Sequence, residues 1–115
     1  MSELKKYQMF IDGQWVDSDT KKSFETLNPE NNKPWAVVPE ASANDVDRAV
    51  KSAQKAFEGE WPKMLARDRA KYLRAIGNKL RENSELLGKI ETIDTGKLYR
   101  ETYQQAKYIA IYFAC

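Results

Sequence analysis

The hydrophobic pattern of this chain changes once, from short strand-like runs to helical spacing, about a third of the way along. In the first part, two short apolar runs flank Asp12 and Gly13. Asp-Gly between apolar runs predicts a β-hairpin, because a type I′ turn needs positive φ at both central residues. A second pair of predicted strands, 23–27 and 34–38, is separated by a cluster of turn-forming residues. The region 8–40 is therefore predicted to form two hairpins.

Helical spacing predicts about four α-helices over 43–115, and the chain is expected to be α+β. Ser42 and Asp45 have the spacing of a capping box, which predicts the start of the first helix. Either Asn83 or Ser84 caps the third helix, and the fourth begins near residue 100. One face of the first helix collects Val46, Ala49, Val50, Ala53 and Phe57; the residues of the third helix expected to face inward are Leu86, Leu87, Ile90 and Ile93.

The last predicted helix is apolar almost all round, and such a helix has to be buried on several sides. It reaches Cys115 without the glycine, asparagine or basic residue that would close it. We therefore expect the chain to be the front piece of a larger protein, an incomplete domain over 1–115. The apolar residues concerned are Ala106, Tyr108, Ile109, Ala110, Ile111, Tyr112, Phe113 and Ala114.

Composition argues against several kinds of chemistry. The net charge is only +2 and the charges are interleaved, which gives no support to nucleic-acid binding. No apolar run has the length of a membrane span, and no signal-peptide pattern opens the sequence, so we expect a cytoplasmic protein. There is no histidine for a triad or a histidine metal site. The glycines match neither the dinucleotide-binding pattern nor a P-loop.

The stretch ETIDTGK, residues 91–97, combines two carboxylates with a Gly-Lys pair. Gly96 stands where a helix-terminating glycine belongs, and Lys97 would place a cation near the last helix carbonyls. A phosphate cradle is not expected there, because phosphate binds at helix N-termini. Glu91 and Asp94 share one helix face. Their spacing alone favours a pair that is solvated or bonded to backbone N–H groups.

Taken together, these residues resemble the N-terminal part of the NAD(P)+-dependent aldehyde dehydrogenase superfamily. The resemblance implies an N-terminal hairpin region, 8–40, followed by the leading helices of the α/β cofactor domain, 43–115. Its order and spacing along the chain make it specific. The segments that carry it are FIDGQWV (10–16), FETLNPENNKPWAVVPEAS (24–42), DVDRAVKSAQKAF (45–57), RAKYLRAIGNKL (69–80) and IETIDTGK (90–97).

The resemblance implies a parent enzyme that oxidises an aldehyde to a carboxylic acid with NAD or NADP, through a cysteine thiohemiacetal. The family's nucleophilic cysteine, glutamate base and dinucleotide-binding strands come later than this stretch. Cys115 lacks the surroundings of that nucleophile and is expected to be a buried helix residue. This stretch alone is therefore expected to be inactive. It is also expected to self-associate, because the apolar residues of its last helix lack the cover that the rest of the family fold supplies. The parent is expected to be a homo-oligomer. The alternative is a truncated, non-enzymatic interaction module that associates with a full-length relative.

The resemblance also implies a monovalent cation, K+ or Na+, in several family members. Its ligands there are backbone oxygens after the second strand and the aspartate before T-G-K, which correspond here to Thr26, Leu27 and Asp94. Carbonyl and carboxylate oxygens suit a hard cation. The structural alternative is that Asp94 only accepts hydrogen bonds from backbone N–H groups.

Overall fold

The computed structural model describes residues 4–113, so the expectation that Cys115 is buried lies outside the described residues. The strands are β1 (Lys5–Lys6), β2 (Met9–Ile11), β3 (Gln14–Val16), β4 (Ser23–Asn28) and β5 (Lys33–Pro39). The helices are α1 (Ala43–Glu58), α2 (Ala66–Glu82), α3 (Ser84–Thr95) and α4 (Tyr99–Tyr112), with a short 3₁₀ helix at Trp61–Lys63. The predicted α+β class is confirmed.

The chain divides into two compact units. The first contains the residues up to Leu27 together with Lys33–Lys63, which include most of the strands and α1. The second contains the turn Asn28–Asn32 together with the residues from Met64 onward, which form α2, α3 and α4. The turn that follows β4 thus belongs with the helices and not with the strands on either side of it.

The hairpin of strands β2 and β3 forms as the sequence predicts. Phe10 pairs with Trp15 across the two strands, and their rings lie 5.0 Å apart. Asp12 has φ 52° and Gly13 has φ 74°, so both central residues take the positive φ of a type I′ turn. The Asp-Gly signal therefore identified both the turn and its conformation.

Strand β1 was not expected, and the strand region begins at Lys5 rather than at residue 8. It joins the second hairpin in a three-stranded sheet of order β1-β5-β4. Lys5 lies beside Ala36 in a parallel pairing, and the Tyr7 amide donates to the Val37 carbonyl at 3.0 Å. Two lysines carry no alternating pattern, so only pairing with β5 defines this strand.

Helix α1 begins with the predicted capping box. The Asp45 amide donates to Ser42 Oγ at 3.1 Å, and the Ser42 amide donates to Asp45 Oδ2 at 3.0 Å. Within the described residues, however, the apolar face of this helix is not covered. Val46, Val50 and Phe57 are 54%, 59% and 70% exposed. The buried side of α1 instead carries the polar residue Asp45.

Helices α3 and α4 pack closely because small residues line their contact. Gly88 is buried, and a Cβ placed on it would lie 2.9 Å from the backbone of Tyr103. Thr102 is fully buried, and its hydroxyl donates to the Gly88 carbonyl at 2.9 Å. Ala106 and Ala110 continue the buried side of α4. Backbones can approach this closely only where side chains are small.

The expectation that large residues of α3 face inward was wrong for three of four positions. Leu86 is 52% exposed, while Leu87 and Ile93 are both 37% exposed. The small residues Ser84 and Gly88 occupy the buried positions instead, and at Gly88 the backbone of Tyr103 leaves no room for a side chain. Helix α4 likewise presents large residues outward, so the cover expected on several of its sides is missing among the described residues; those exposed are Tyr108, Ile109, Ile111 and Tyr112.

Candidate functional site

The C-terminus of α3 carries the residues that the sequence singled out. Gly96 ends the helix with φ 75° and ψ 6°, a left-handed conformation, and its amide donates to the Thr92 carbonyl at 2.9 Å. The predicted glycine-terminated helix is confirmed. Thr92 also contacts the Thr102 hydroxyl at 2.9 Å. The end of α3 is therefore tied to α4 one turn before the helix stops.

The two carboxylates of this segment have different surroundings. Lys97 Nζ donates to Glu91 Oε1 at 2.7 Å. The Thr95 hydroxyl donates to the Glu91 carbonyl at 2.7 Å. Asp94 is exposed on the same helix. The Glu91–Lys97 pair therefore closes across the last turn of α3.

A groove of about 390 Å³ lies beside this helix end, within the second unit. Its walls come from α2, α3 and α4, and both carboxylates stand along it. Most of its lining is apolar, which suits helix packing better than the binding of a polar substrate. The lining residues are Leu80, Leu87, Ile90, Glu91, Asp94, Thr95, Ala106 and Ile109.

The predicted cation ligands come from both units. Thr26 is half-buried and Leu27 is 45% exposed, and both lie on β4 in the first unit. Asp94 belongs to the second unit. Two carbonyl oxygens and one carboxylate suit a hard monovalent cation. Among residues 4–113 there is no cluster of three or more acidic or cysteine side chains that could hold a metal ion.

The turn between β4 and β5 is held by its own hydrogen bonds. The Asn28 side chain accepts from the Glu30 amide at 2.9 Å, and the Asn28 carbonyl accepts from the Asn32 amide at 2.8 Å. Asn32 closes the turn at φ 55°. The sequence predicted this turn from its asparagines and proline. Its membership of the helical unit carries no sequence signal, because it depends on contacts with residues more than sixty positions away.

A buried carboxylate that sequence analysis treated only as a cap forms a wider network. Asp45 accepts from Ser18 Oγ at 2.8 Å and from the Asp19 amide at 3.2 Å, in addition to Ser42. The Ser42 backbone N–H, followed by Ser18 and Asp19, holds the pKa of Asp45 below its ordinary value, although burial acts in the opposite direction. A carboxyl with a lowered pKa stays ionised at neutral pH. Asp45 therefore accepts these hydrogen bonds as a carboxylate and ties the start of α1 to Ser18 and Asp19.

None of the helices in the described part of the chain is both long and apolar enough to cross a membrane.

Comparison with protein families identifies the family of this chain. A model described as "Aldehyde dehydrogenase family" matches residues 15–114. This chain belongs to the aldehyde dehydrogenase family. The fold is that of the leading part of the family's cofactor domain.

Solved structures of this family superimpose closely on the chain. An NAD-dependent aldehyde dehydrogenase from Sinorhizobium meliloti aligns with a TM-score of 0.92 and 29% identity, over 97% of this chain and 23% of that one. The betaine aldehyde dehydrogenase of Staphylococcus aureus, solved in complex with NAD+, aligns with a TM-score of 0.88 and 39% identity, over 93% of this chain and 22% of that one. The chain thus spans less than a quarter of either aldehyde dehydrogenase.

Proposed function

We propose that this chain forms the leading part of an enzyme that oxidises an aldehyde to a carboxylic acid with NAD or NADP. The observation that carries the proposal is the family match over residues 15–114. In this reaction a cysteine of the complete protein would add its thiolate to the aldehyde carbon, NAD(P)+ would serve as the hydride acceptor, and water would hydrolyse the resulting thioester. The cysteine, the base and the dinucleotide-binding residues are expected outside this sequence.

The role of this stretch is structural support. Its helices supply part of the framework on which the cofactor domain is built, and no residue in it is assigned to the chemistry. The test is a chimera in which this chain replaces the corresponding leading segment of the Staphylococcus aureus betaine aldehyde dehydrogenase. We expect NADH production that depends on betaine aldehyde, measured by absorbance.

Two controls make the chimera informative. The purified chain alone is expected to produce no NADH with any aldehyde and to bind neither NAD+ nor NADP+. A chimera carrying Gly88→Val is expected to lose soluble enzyme, because Gly88 packs against the backbone of Tyr103. A folded chimera without activity, or an active isolated chain, would contradict the proposed division of roles.

We further propose that Asp94, with the backbone oxygens of Thr26 and Leu27, holds K+ or Na+ in the complete protein. Support comes from the donor chemistry, since carbonyl and carboxylate oxygens suit a hard cation. Asp94→Asn keeps the shape and removes the charge. The increase in melting temperature on replacing choline by K+ should vanish in this variant and persist in Glu91→Gln. An equal K+ response in Asp94→Asn and in the unmodified protein would exclude the cation role.

A second candidate function follows from the exposed apolar residues of α1 and α4. The chain can act as an interaction module that associates with a full-length relative and has no catalysis of its own. Exposed apolar surface of this kind favours association. Sedimentation of the chain mixed with the Staphylococcus aureus enzyme separates the two functions. A stable complex with unchanged enzyme activity favours the module, while no complex favours the leading-part function.

A further inference from the structure

The β2–β3 turn contains a dipeptide that can rearrange chemically. Asp12 precedes Gly13, and no other aspartate or asparagine of the chain is followed by glycine. The amide nitrogen of a residue can attack the side-chain carboxyl of an aspartate just before it, and glycine obstructs the approach least because it has no side chain. The sequence therefore contains a single position at which this reaction is favoured.

The folded chain leaves this dipeptide accessible. Asp12 and Gly13 are both exposed, and the β2–β3 ladder pairs Ile11 with Gln14 on either side of them. Among the described residues, nothing lies within 4 Å of a Cβ placed on Gly13. Water therefore reaches the turn, and little neighbouring structure has to move when the peptide between the two residues rotates.

One hydrogen bond from α1 restrains the reactive carboxyl group. The Ser52 hydroxyl donates to Asp12 Oδ1 at 3.3 Å. Both residues belong to the first unit, as does Gly13. Cyclisation consumes the carboxylate that accepts this hydrogen bond, so the bond stabilises the unreacted side chain.

We infer that Asp12 converts spontaneously to isoaspartate through a cyclic imide with Gly13, and that Ser52 slows this conversion. The Gly13 nitrogen forms a bond to Cγ of Asp12 in its carboxylic acid form. The hydroxyl of the acid leaves as water together with the proton of the Gly13 amide. This step needs no oxidant, reductant or further reactant.

Water then opens the imide in one of two ways. Addition at Cγ of residue 12 breaks the new bond and restores aspartate. Addition at the main-chain carbonyl carbon breaks the original peptide bond instead, so that the chain continues through Cγ and the old carbonyl carbon becomes a free carboxyl group. The main chain within the turn is then one carbon longer.

The longer chain should alter the hairpin. A type I′ turn has two central residues whose backbone twist matches that of the strands, and an additional carbon does not fit this geometry. The rings of Phe10 and Trp15 lie 5.0 Å apart one pair beyond the turn. We expect conversion to weaken this ring contact and to remove the hydrogen bond between Ser52 and Asp12.

The test follows the complete protein that contains this chain during incubation at neutral pH in water enriched in heavy oxygen. Mass spectrometry of its peptides with electron-transfer fragmentation distinguishes isoaspartate from aspartate, and each opening of the imide adds one heavy oxygen atom. Isoaspartate and heavy oxygen should accumulate at residue 12. Asp17 is also exposed but precedes Ser18, so it should keep its linkage and its ordinary oxygen.

Two variants retain residues suited to the turn and change the reaction. Asp12→Asn should convert faster, because an uncharged side-chain amide is attacked more readily than a carboxylate and forms the same imide with loss of ammonia. Asparagine is also common at this position of type I′ turns. Gly13→Asn tolerates positive φ and should nearly abolish conversion, because its side chain obstructs the attacking nitrogen.

The role of Ser52 is tested on α1. Ser52→Ala removes the hydrogen bond to Asp12 and should raise the rate of conversion by up to about fivefold, the factor that one hydrogen bond of ordinary net strength supports. Lys55→Ala changes an exposed residue of the same helix and should leave the rate unchanged. Equal rates in Ser52→Ala and in the unmodified protein would overturn the restraining role of Ser52.

A synthetic peptide of residues 10–16 gives the rate of the same dipeptide without the fold. The peptide should convert at least as fast as the protein, because it lacks both the paired strands and Ser52. No conversion at residue 12 of the protein during the time in which the peptide converts would overturn the inference. Equal conversion at Asp12 and Asp17 would also overturn it, since the glycine would then not determine the site.

Discussion

Helix α1 in the first unit is anchored by a buried carboxylate, whereas α3 and α4 in the second unit are joined by close backbone packing. Asp45 is 1% exposed and accepts hydrogen bonds from Ser18 and from the amide of Ser42. Gly88 has no side chain, and this absence lets the backbone of Tyr103 approach. The attachment of α1 depends on the charge of the Asp45 carboxylate and on the direction of its hydrogen bonds. The contact of α3 with α4 depends on the absence of side-chain volume at Gly88.

This difference explains how the large apolar side chains of each unit can remain exposed to solvent. A helix attached through hydrogen bonds or through small residues does not need its leucines, isoleucines and aromatics for that attachment. They remain at the surface, where they can pack against further protein in a complete dehydrogenase fold. The two kinds of anchor should also fail differently, one when its charge is removed and the other when volume is added.

The largest effect is expected when the chain is studied without any covering protein. Each large apolar side chain left in water forgoes roughly 1.5–3 kcal/mol of burial, and a domain's stability is only about 5–15 kcal/mol. Ile109, Ile111 and Tyr112 alone are 49%, 49% and 67% exposed. The isolated chain should therefore self-associate and bind hydrophobic dyes, as measured by size-exclusion chromatography with light scattering. A monomer with sharp, dispersed amide resonances would show that both units close without a partner.

Added volume at the α3–α4 contact should be the most damaging single change. Gly88→Val places side-chain atoms where the backbone of Tyr103 lies, 2.9 Å from the new Cβ. We expect a loss of about 3 kcal/mol in the free energy of unfolding of the complete protein, measured with urea. Lys89→Val puts the same residue at the next, exposed position of α3 and should cost far less. Similar losses in both variants would mean that helix propensity, not packing, sets the effect.

Removing the charge of Asp45, which anchors α1, should change how the stability of the protein depends on pH. The lowered pKa of Asp45 means that its stabilisation is fully present above the ordinary value of 3.8. It is lost as the pH falls from there through the lower pKa of the folded state, because the unfolded carboxyl binds the proton more readily. Asp45→Asn should lower the melting temperature at neutral pH and flatten its decline in acid.

The control for this charge is Asp47, which is exposed and paired with Lys51 on the same helix. Asp47→Asn should change the melting temperature little at any pH, because exposed ion pairs contribute little. An unchanged acid profile in Asp45→Asn would show that this carboxylate does not set the pH dependence. The charge of Asp45 would then not be what distinguishes the attachment of α1 from the contact of α3 with α4.

A smaller effect is expected at the β2–β3 turn, where strain acts without close packing. Gly13→Val forces a β-branched residue to φ 74°, at a cost on the order of 1–2 kcal/mol. Gly13→Asn should cost much less, because asparagine tolerates this region. Chemical denaturation of the complete protein measures both. Equal stability of Gly13→Val and the unmodified protein would mean that the turn adopts another type.

Local sequence signals predicted most of the elements and their ends. Asp12-Gly13 predicted the type I′ turn, and Ser42 with Asp45 predicted the capping box of α1; both are confirmed. Gly96 likewise predicted the end of α3. These signals succeed because each depends on residues within a few positions of one another, whose conformational preferences do not need the rest of the fold.

Family membership was also determined by the sequence, through five segments in a characteristic order. The proposed cation ligands came from the same resemblance. Residue spacing by itself pointed only to a carboxylate pair in 91–97 that is solvated or bonded to backbone N–H groups. In the structure, Glu91 forms an ion pair with Lys97. The assignment of Thr26, Leu27 and Asp94 as cation ligands stays a prediction.

Tertiary contacts alone decided the rest. Strand β1 exists only because Lys5 lies beside Ala36, and Asp45 is buried only because Ser18 and Asp19 return to it across the fold. Inward-facing leucines on α3 were a reasonable expectation from periodicity, yet α4 packs on the small residues instead. Periodicity identifies which residues share a face, but which face is covered depends on partners distant in sequence. The contact of Pro29 with Gly96 is of this kind, since it joins two local motifs that the sequence defined separately.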